Sequence, residues 1–378
     1  MAFTAKYSSD TGAGAHDGSS EANAWTWAEM VTAIVALGAG GGAGLHVKHK
    51  SNGGTSRTTN TDTLSVGGSS TSPLIIEGYL STPGAAGALG DGYLGRTNNH
   101  CCGGSLTTTN MPSITYTTGR LVASGTWIVI QNINYASANT STGLSLGTDC
   151  AIARCKIVNS GTGAGAIVIG GGGSRTHFFD NDIALTGGSG GSNALTASGS
   201  ANRVIGNRIT GASAPGVLAS NTGGLIYGNL IYSCTGTGLS VNANTATIHI
   251  IGNTIVGCTG DGIDLITGLT QLASIFNNCI TDNGGYGING VSAANAAVAA
   301  YNRLRDNTSG NTNLATDWLA GTSWGHVTTD TGGAETDYVS SGSQDYRLRG
   351  GSPAANALYN QAIGAFQFSY NPVTLVFG

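Results

Sequence analysis

Two aspartates, Asp261 and Asp264, lie three positions apart and form an acidic pair that could carry chemistry. Glycoside hydrolysis uses two carboxylates roughly 5–9.5 Å apart. Eliminative cleavage of a polysaccharide uses a base, usually beside a Ca²⁺ ion held by several carboxylates. The equivalent positions of neighbouring sequence repeats, Thr237, Ser240 and Asn289, include no Arg or Lys. We therefore expect Asp264 at an outward strand position and Asp261 in the turn before it, without a catalytic role, and a catalytic pair is the alternative.

A second pair, Asp282 and Asp306, occupies the same position in two consecutive repeats. Two stacked carboxylates repel each other unless a proton or a cation lies between them. Ca²⁺ is the ion that such oxygen ligands would take. We expect solvated turn acids and no metal or other cofactor here, with a Ca²⁺ site as the alternative.

Other catalytic patterns are missing from the sequence. The seven histidines are scattered, no Ser-His-Asp order emerges, and no glycine run continues into the Lys-Ser/Thr of a phosphate loop. The seven cysteines are odd in number and include no Cys-x-x-Cys, so we expect buried thiols. A net charge of −4 without a basic stripe argues against nucleic-acid binding. No apolar run reaches the ~20 residues of a membrane span, and no signal peptide is visible.

A repeated motif with a central asparagine must position these residues. Between Asn181 and Asn302 the asparagines follow one another at nearly constant steps of about 24 residues. Cys155 takes the asparagine's place one step before Asn181. A second register, formed by Gly216, Gly238, Gly262 and Gly287, keeps the same step. Two landmarks with one period indicate a repeat architecture.

Each repeat contains short alternating runs separated by turns rich in Gly and Asn, which is typical of β-strands. The composition agrees, because the 378 residues include 63 glycines and only 9% charged residues, against roughly 25% in average proteins. We predict an all-β fold, a single parallel β-helix solenoid with rungs of ~24 residues that stack at ~4.8 Å. Equal positions then form ladders. The predicted asparagine ladder consists of Asn132, Asn181, Asn207, Asn229, Asn253, Asn278 and Asn302.

The ends of such a solenoid must be capped, because open strand edges associate. Apolar residues at helical spacing between residues 19 and 38 predict a capping helix that ends at Gly38. We therefore divide the chain into a cap with this helix (1–44), the parallel β-helix (45–307) and C-terminal rungs, a loop and closing strands (308–378). Strands are expected at 45–49 and 73–79.

Several short motifs resemble the right-handed parallel β-helix proteins of the pectate-lyase-like superfamily. They are Asp-Thr-Gly at 10–12, Asp-Gly-Ser at 17–19, Ala-Asn-Ala-Trp at 22–25, Ile-Ile-Glu-Gly-Tyr at 75–79, and the closing Asp-Tyr-Arg-Leu at 345–348. The resemblance extends from about residue 7 to 368 and implies the right-handed form of the solenoid. It implies polysaccharide lyases, glycoside hydrolases, adhesins or bacteriophage tailspikes. The Asn-Thr-Asp and paired-Asp pattern of the polygalacturonase type is not present, since Asn253-Thr254 continues into Ile255.

Together these observations favour a structural surface protein of a bacteriophage virion, a tailspike, fibre or capsid-decoration module without catalysis. It would contact host glycans or neighbouring virion proteins, and the virion surface is the expected location. Outward apolar residues such as Ile167 and Leu218 suit side-by-side packing, most simply in a homotrimer. The alternatives are a polysaccharide lyase or glycoside hydrolase, and a bacterial surface adhesin outside the cell.

Overall fold

The computed structural model describes residues 3–52, 55–57, 61–83, 91–92, 104–163, 167–211, 213, 215–221, 223–244, 247–266, 273–290, 297–314, 338–340 and 345–348. Within these residues, three parallel sheets of eleven, ten and ten strands wind into a right-handed solenoid, with one short α-helix near the N-terminus. Each turn of the solenoid, called a rung below, contributes one strand to each sheet. The predicted fold class is confirmed.

Within each sheet the strands stack in spatial order from the N-terminal end. Sheet A contains Thr4–Ser9, Leu45–Lys50, Leu74–Tyr79, Ile128–Gln131, Ala151–Ala153, His177–Phe179, Arg203–Ile205, Gly224–Tyr227, Ile248–Ile251, Ala273–Phe276 and Ala297–Ala300. Sheet B contains Thr55–Arg57, Ser113–Tyr116, Asn134–Ser137, Lys156–Asn159, Asp182–Leu185, Arg208–Thr210, Leu230–Tyr232, Thr254–Val256, Cys279–Thr281 and Arg303–Arg305. Sheet C contains Asp62–Leu64, Leu121–Ala123, Thr142–Leu146, Ile167–Gly171, Asn193–Ala197, Val217–Asn221, Leu239–Asn244, Ile263–Leu265, Tyr286–Gly290 and Gly310–Leu314. An antiparallel pair joins Tyr338–Ser340 to Asp345–Leu348.

The core lies inside the solenoid and is built from identical positions of successive rungs. In sheet B each inward isoleucine pairs with the next, for example Ile209 with Ile231 and Ile231 with Ile255. These side chains are 0% exposed, and full burial of such a side chain stabilises the fold by about 1.5–3 kcal/mol. Strand side chains alternate in direction, so the residues on either side of each core isoleucine point away from the core. Several of them are nevertheless covered, since Leu230 is 0% and Thr254 1% exposed.

The glycine register has a steric cause. A Cβ atom on Gly238 would lie 2.5 Å from Ile255 Cγ2 and 2.8 Å from the carbonyl oxygen of Gly262. The same holds at Gly262, where a Cβ would overlap Ile280 Cγ2. Glycine therefore recurs there because the chain passes close to the core side chains of the next rung. Positive φ belongs to a different position, the turn residue before each ladder asparagine.

The N-terminal helix covers Trp27–Ala36, and a 3-10 turn at Glu21–Asn23 precedes it. The predicted helix from residue 19 therefore began too early. Thr26 is the N-cap and forms a capping box with Glu29, which fixes the start of the helix. Trp27 is 0% exposed, and its Nε1 donates to Asp62 Oδ2 at 3.1 Å, so the helix packs over the first rungs.

The predicted strands near residues 45–49 and 73–79 are present as Leu45–Lys50 and Leu74–Tyr79. Sheet A begins at Thr4–Ser9, inside the predicted cap, and sheet C continues to Gly310–Leu314. Most of the predicted C-terminal region (308–378) lies outside the described residues.

The five cysteines among the described residues are buried thiols. Burial raises the pKa of Cys150 to about 11 and that of Cys155 to about 12, which keeps both protonated and unreactive at neutral pH. In the described part of the chain, no helix has the length and apolar character needed to cross a membrane.

Candidate functional site

The turn between sheets A and B carries the asparagine ladder. Its first residue has a left-handed backbone, with φ of 67° at Gly206, 63° at Gly228 and 55° at Asn277, and the ladder asparagine follows. Asn229 Nδ2 donates to Asn253 Oδ1 at 2.9 Å, and the backbone N–H of Asn229 donates to the same oxygen at 3.0 Å. Six of the seven predicted asparagines stand in this register and are 0% exposed: Asn181, Asn207, Asn229, Asn253, Asn278 and Asn302. Asn132 is also 0% exposed but does not belong to the ladder, because Gln131 pairs with Ala153 and Ile133 therefore stands opposite Cys155. Asn132 is instead the turn residue of its rung, with a left-handed φ of 58°.

This arrangement serves the framework, because the ladder amides contact backbone and their neighbours inside the solenoid. Cys155 stands in the same register and accepts a contact from the N–H of Ile133 at 3.5 Å, while its own N–H donates to Asn181 Oδ1 at 3.0 Å. A shorter ladder at the turn between sheets B and C joins Asn283 Nδ2 to Asn307 Oδ1 at 2.9 Å. Neither ladder is open to a substrate.

The acidic pair lies on the outer face of sheet C. Outward side chains stack there in the order Ser240, Asp264, Asn289 and Asn313. Of the two apolar residues expected to point outward, Ile167 does not belong to this row. Ile167 pairs with Thr142 and Asn193, and Gly170 is the residue that pairs with Thr196, because the strand Ile167–Gly171 begins three positions before that point. Leu218 does lie in the row, next to Thr196 and Ser240.

Asp261 is held by the following rungs. Its Oδ1 accepts the backbone N–H of Tyr286 at 2.6 Å, and its Oδ2 accepts Asn289 Nδ2 at 2.9 Å. Asp264 is partly buried, and burial first and the charge of Asp261 second raise the pKa of its carboxyl group. A carboxyl group whose pKa is raised by burial and by a neighbouring carboxyl group is an arrangement that proton-transfer sites use. Ser240, the preceding residue in the row, is 1% exposed.

Asp282 and Asp306 follow stacked strands of sheet B and adopt left-handed backbone conformations, with φ of 59° and 51°. Asp is one of the residues that tolerates this conformation. Arg305 Nε lies 3.1 Å from Asp306 Oδ2. Among the described residues, no three His, Cys, Asp or Glu side chains come together as metal ligands. The left-handed turn conformation therefore accounts for the aspartates at positions 282 and 306 without a metal ion.

The outward positions of sheet A form a row of apolar side chains that the sequence analysis did not identify. The alternation of the strands was the available signal, since each of these residues stands two positions before a ladder asparagine. Phe179 is 4% exposed and the others are partly exposed. In rung order the row, called the sheet A row below, contains Phe179, Ile205, Tyr227, Ile251 and Phe276.

A parallel row lies two positions earlier on the same strands. It contains His177, Arg203, Leu225, His249 and Ser274 in rung order. His249 is exposed and Arg203 is partly exposed. Burial and the charge of Arg203 lower the pKa of His177 to about 4, so that this ring is neutral at physiological pH.

The structure also brings together Ser8, His49 and Asp10, which sequence order could not reveal. Ser8 Oγ lies 2.9 Å from His49 Nδ1, and His49 Nε2 lies 3.2 Å from Asp10 Oδ1. Ser8 and His49 are 0% exposed, and the helix residue Met30 contacts Ser8 Oγ. A hydrolase of this type needs a nucleophile that substrate can reach. The cluster therefore joins the cap to the first rungs and is not a catalytic triad.

Comparison with known proteins agrees with this architecture. Residues 139–309 match the family model described as "Right handed beta helix region". The solved structure of pectate lyase Pel9A superimposes with a TM-score of 0.61 at 13% identity, covering 98% of this chain and 97% of that one. The sequence matches no curated protein at a significant level.

Two further structures are similar over a smaller share. The A-module of the Azotobacter vinelandii mannuronan C-5 epimerase AlgE4 gives a TM-score of 0.36 at 14% identity, covering 77% of this chain and 84% of that chain. Tailspike protein 3 of bacteriophage CBA120 gives a TM-score of 0.28 at 11% identity, covering 76% of this chain and 56% of that chain. These likenesses concern the fold and assign no activity. The chain is a right-handed parallel β-helix.

Proposed function

We propose that the chain is a structural surface module of a bacteriophage virion, of the tailspike, fibre or capsid-decoration type, which contacts glycans or neighbouring virion proteins without cleaving them. The proposal rests on the sheet A row, in which Ile205, Tyr227, Ile251 and Phe276 are partly exposed on consecutive rungs. A contiguous row of partly exposed apolar side chains suits a contact surface. The internal asparagine ladder supports the proposal, because it gives the solenoid a rigid frame for presenting such a surface.

A homotrimer is the assembly that we propose for this module. A three-sided solenoid can place one side against a threefold axis and leave the others outward. Leu218 is an apolar, partly exposed residue on sheet C, and it supports the choice of that side as the packing face. The mass in solution, measured by light scattering, should be three times 37.7 kDa. A strictly monomeric mass would remove the trimer from the proposal.

The absence of cleavage is tested directly with a panel of acidic and neutral polysaccharides. Reducing ends and the ultraviolet absorbance of unsaturated uronates report hydrolysis and elimination respectively. We expect neither signal with the full chain. Product formation above a heat-inactivated control would overturn the proposal. Capsid and tail genes beside the coding sequence would support the virion assignment, and sugar-utilisation genes would contradict it.

A second candidate function is a polysaccharide lyase or glycoside hydrolase, favoured by the raised pKa of Asp264 beside Asp261. In this case Asp264 would act as the proton donor, with Asp261 as the neighbouring carboxyl group. The variant Asp264→Asn would then abolish product formation while leaving the circular dichroism spectrum unchanged. Leu218→Ser, on the same face, is the matched control and should retain activity.

A further inference from the structure

Two of the buried cysteines, Cys234 and Cys258, occupy the same position in consecutive rungs. Each follows a turn residue with a left-handed backbone, with φ of 49° at Ser233 and 64° at Gly257. The backbone N–H of Thr259 donates to the carbonyl oxygen of Cys234 at 2.9 Å, which joins the two rungs beside the cysteines. The two residues are therefore held in register, one directly after the other along the solenoid axis.

Their side chains continue the shorter ladder at the turn between sheets B and C. The N–H of Cys258 donates to Asn283 Oδ1 at 3.0 Å, and Asn283 Nδ2 donates to Asn307 Oδ1 at 2.9 Å. Side chains at this position thus meet along the axis from one rung to the next. Between the first two members of the ladder the contact is a side-chain hydrogen bond that joins Cys258 to Cys234.

Both sulfur atoms are enclosed within the solenoid. Cys234 is 1% and Cys258 is 2% exposed. A Cβ atom on Gly216 would lie 2.8 Å from Cys234 Sγ, and one on Gly238 would lie 3.3 Å from Cys258 Sγ, so the glycine register makes room for the two sulfurs. The hydrogen bond with Cys234 first and burial second raise the pKa of the Cys258 thiol. The folded chain therefore protects this pair from reagents in solution.

We propose that Cys234 and Cys258 form a disulfide bond between consecutive rungs when the chain folds in an oxidising environment. Adjacent rungs are ~4.8 Å apart, which lies within the ~4.4–6.8 Å that separates the Cα atoms of bonded cysteines. Since the two thiols are in contact in the folded chain, the bond requires side-chain movement and leaves the strand register as it is. In a reducing compartment the pair stays as two thiols.

The oxidant is a disulfide, such as oxidised glutathione. The thiolate of one cysteine attacks a sulfur of the oxidant, which forms a mixed disulfide and releases one thiolate of the oxidant. The second cysteine thiolate attacks the cysteine sulfur of this intermediate, which forms the new bond and releases the other thiolate. The two cysteines lose two protons and two electrons, and the oxidant takes up both electrons and becomes two thiols. Because the folded thiols are enclosed, the exchange takes place before the two rungs close.

Cys155 is a buried thiol without such a neighbour and serves as the matched control. In its ladder it stands between Ile133 on the preceding rung and Asn181 on the next. A disulfide at Cys155 would therefore need a cysteine from another part of the chain. The inference goes beyond the proposed function and is independent of it, since it concerns the closure of two rungs.

The test refolds the full chain from urea at fixed ratios of reduced to oxidised glutathione, quenches exchange with acid and maps the disulfides by mass spectrometry. Chymotrypsin cleaves after Tyr232, Leu239 and Leu265, so that Cys234 and Cys258 fall in separate peptides. We expect these peptides to be linked, with a mass about 2 Da below the sum of the two free peptides. The refolded chain should form the bond at least about tenfold more readily than the chain kept in urea, because the fold holds the thiols in contact.

Variants connect this bond to the two cysteines. Cys258→Ser should remove the linked peptide, whereas Cys155→Ser should retain it at the same glutathione ratio. The oxidised wild type should melt about 5 °C above its reduced form, and this difference should be absent in Cys258→Ser.

Three results would overturn the inference. The first is a refolded chain without the linked peptide, or with no more of it than the chain in urea. The second is a dominant bond from Cys234 to another cysteine. The third is an oxidised pair whose circular dichroism spectrum shows a loss of β-structure, since this bond would then be incompatible with the register of the rungs.

Discussion

Replacement of Asn253 by alanine tests whether the asparagine ladder stabilises the solenoid. Asn253 Oδ1 accepts both the backbone N–H and the Nδ2 of Asn229. Its own Nδ2 donates to the carbonyl oxygen of Ile226 and to Asn278 Oδ1, both at 2.9 Å. The side chain is 0% exposed, so that water cannot replace these bonds without opening the turn.

The expected loss follows from the bonds that the change removes. The N–H of Asn229 loses its acceptor in a buried position, which costs about 2 kcal/mol, within a usual range of ~1–3 kcal/mol. Asn253 Nδ2 also lies 3.2 Å from the carbonyl oxygen of Ile251, but it has only two hydrogens for its three acceptors. Three further hydrogen bonds are therefore lost at about 1 kcal/mol net each. The free energy of unfolding of Asn253→Ala should therefore fall by about 5 kcal/mol, a large share of the ~5–15 kcal/mol that is typical of a folded domain.

The assay is equilibrium unfolding in urea, followed by far-ultraviolet circular dichroism. The matched control is Asn277→Gly in the next turn, where Asn277 has φ 55° and glycine fills the equivalent position at Gly228 and Gly252. This variant should stay within about 1 kcal/mol of the wild type, because glycine adopts a left-handed backbone without strain. A loss below about 1 kcal/mol for Asn253→Ala would refute the stabilising role of the ladder.

Three further predictions concern single residues. Gly262→Ala should lower the free energy of unfolding by about 1–3 kcal/mol, since its Cβ would overlap the core and the next rung, and urea unfolding measures this. The pKa of His177 is lowered from 6.5 to about 4 in the folded chain, so that the unfolded chain takes up the proton at higher pH. The free energy of unfolding should therefore fall by about 3 kcal/mol as the pH drops from 6.5 to 4. Unfolding at pH 7 and pH 4.5 should show this loss in the wild type and a smaller one in His177→Leu. Asp264→Asn should be at least as stable as the wild type at pH 7, because the raised pKa of Asp264 means that its ionised form opposes folding. The difference in stability between the two proteins should vanish near pH 3, where the carboxyl group is protonated. A variant that is less stable at pH 7 would contradict this reasoning.

The repeat could be predicted because the turn between sheets A and B has a fixed length. The core residue Ile209 stands at the second position after Asn207, and the same spacing recurs at Asn229 and Ile231. A short turn of constant length keeps the register of the two flanking strands, so one conspicuous residue type indicates the fold.

Other features depend on parts of the rung whose length varies. Ile167 was assigned to the wrong outward position because the loop before its strand changes length from rung to rung, and only pairing with Thr142 and Asn193 fixes the register. The helix start depends on the Thr26–Glu29 capping box, which the prediction of a helix from residue 19 did not take into account.

Contacts between distant segments were beyond sequence reasoning for a different reason. Ser8 and His49 are far apart in the chain, and only the pairing of their strands brings them together. The sheet A row had a local signal, the residue two positions before each asparagine. The sequence analysis overlooked this signal because it used the same residues only as part of the repeated asparagine motif that identifies the turn.

The asparagine ladder has a mechanical consequence. Hydrogen bonds between parallel strands, and those between ladder amides, point along the solenoid axis from one rung to the next. A pulling force on the two chain ends acts along these bonds, and the terminal rungs give way first because each has a neighbour on one side only. The molecule should therefore peel turn by turn under axial tension.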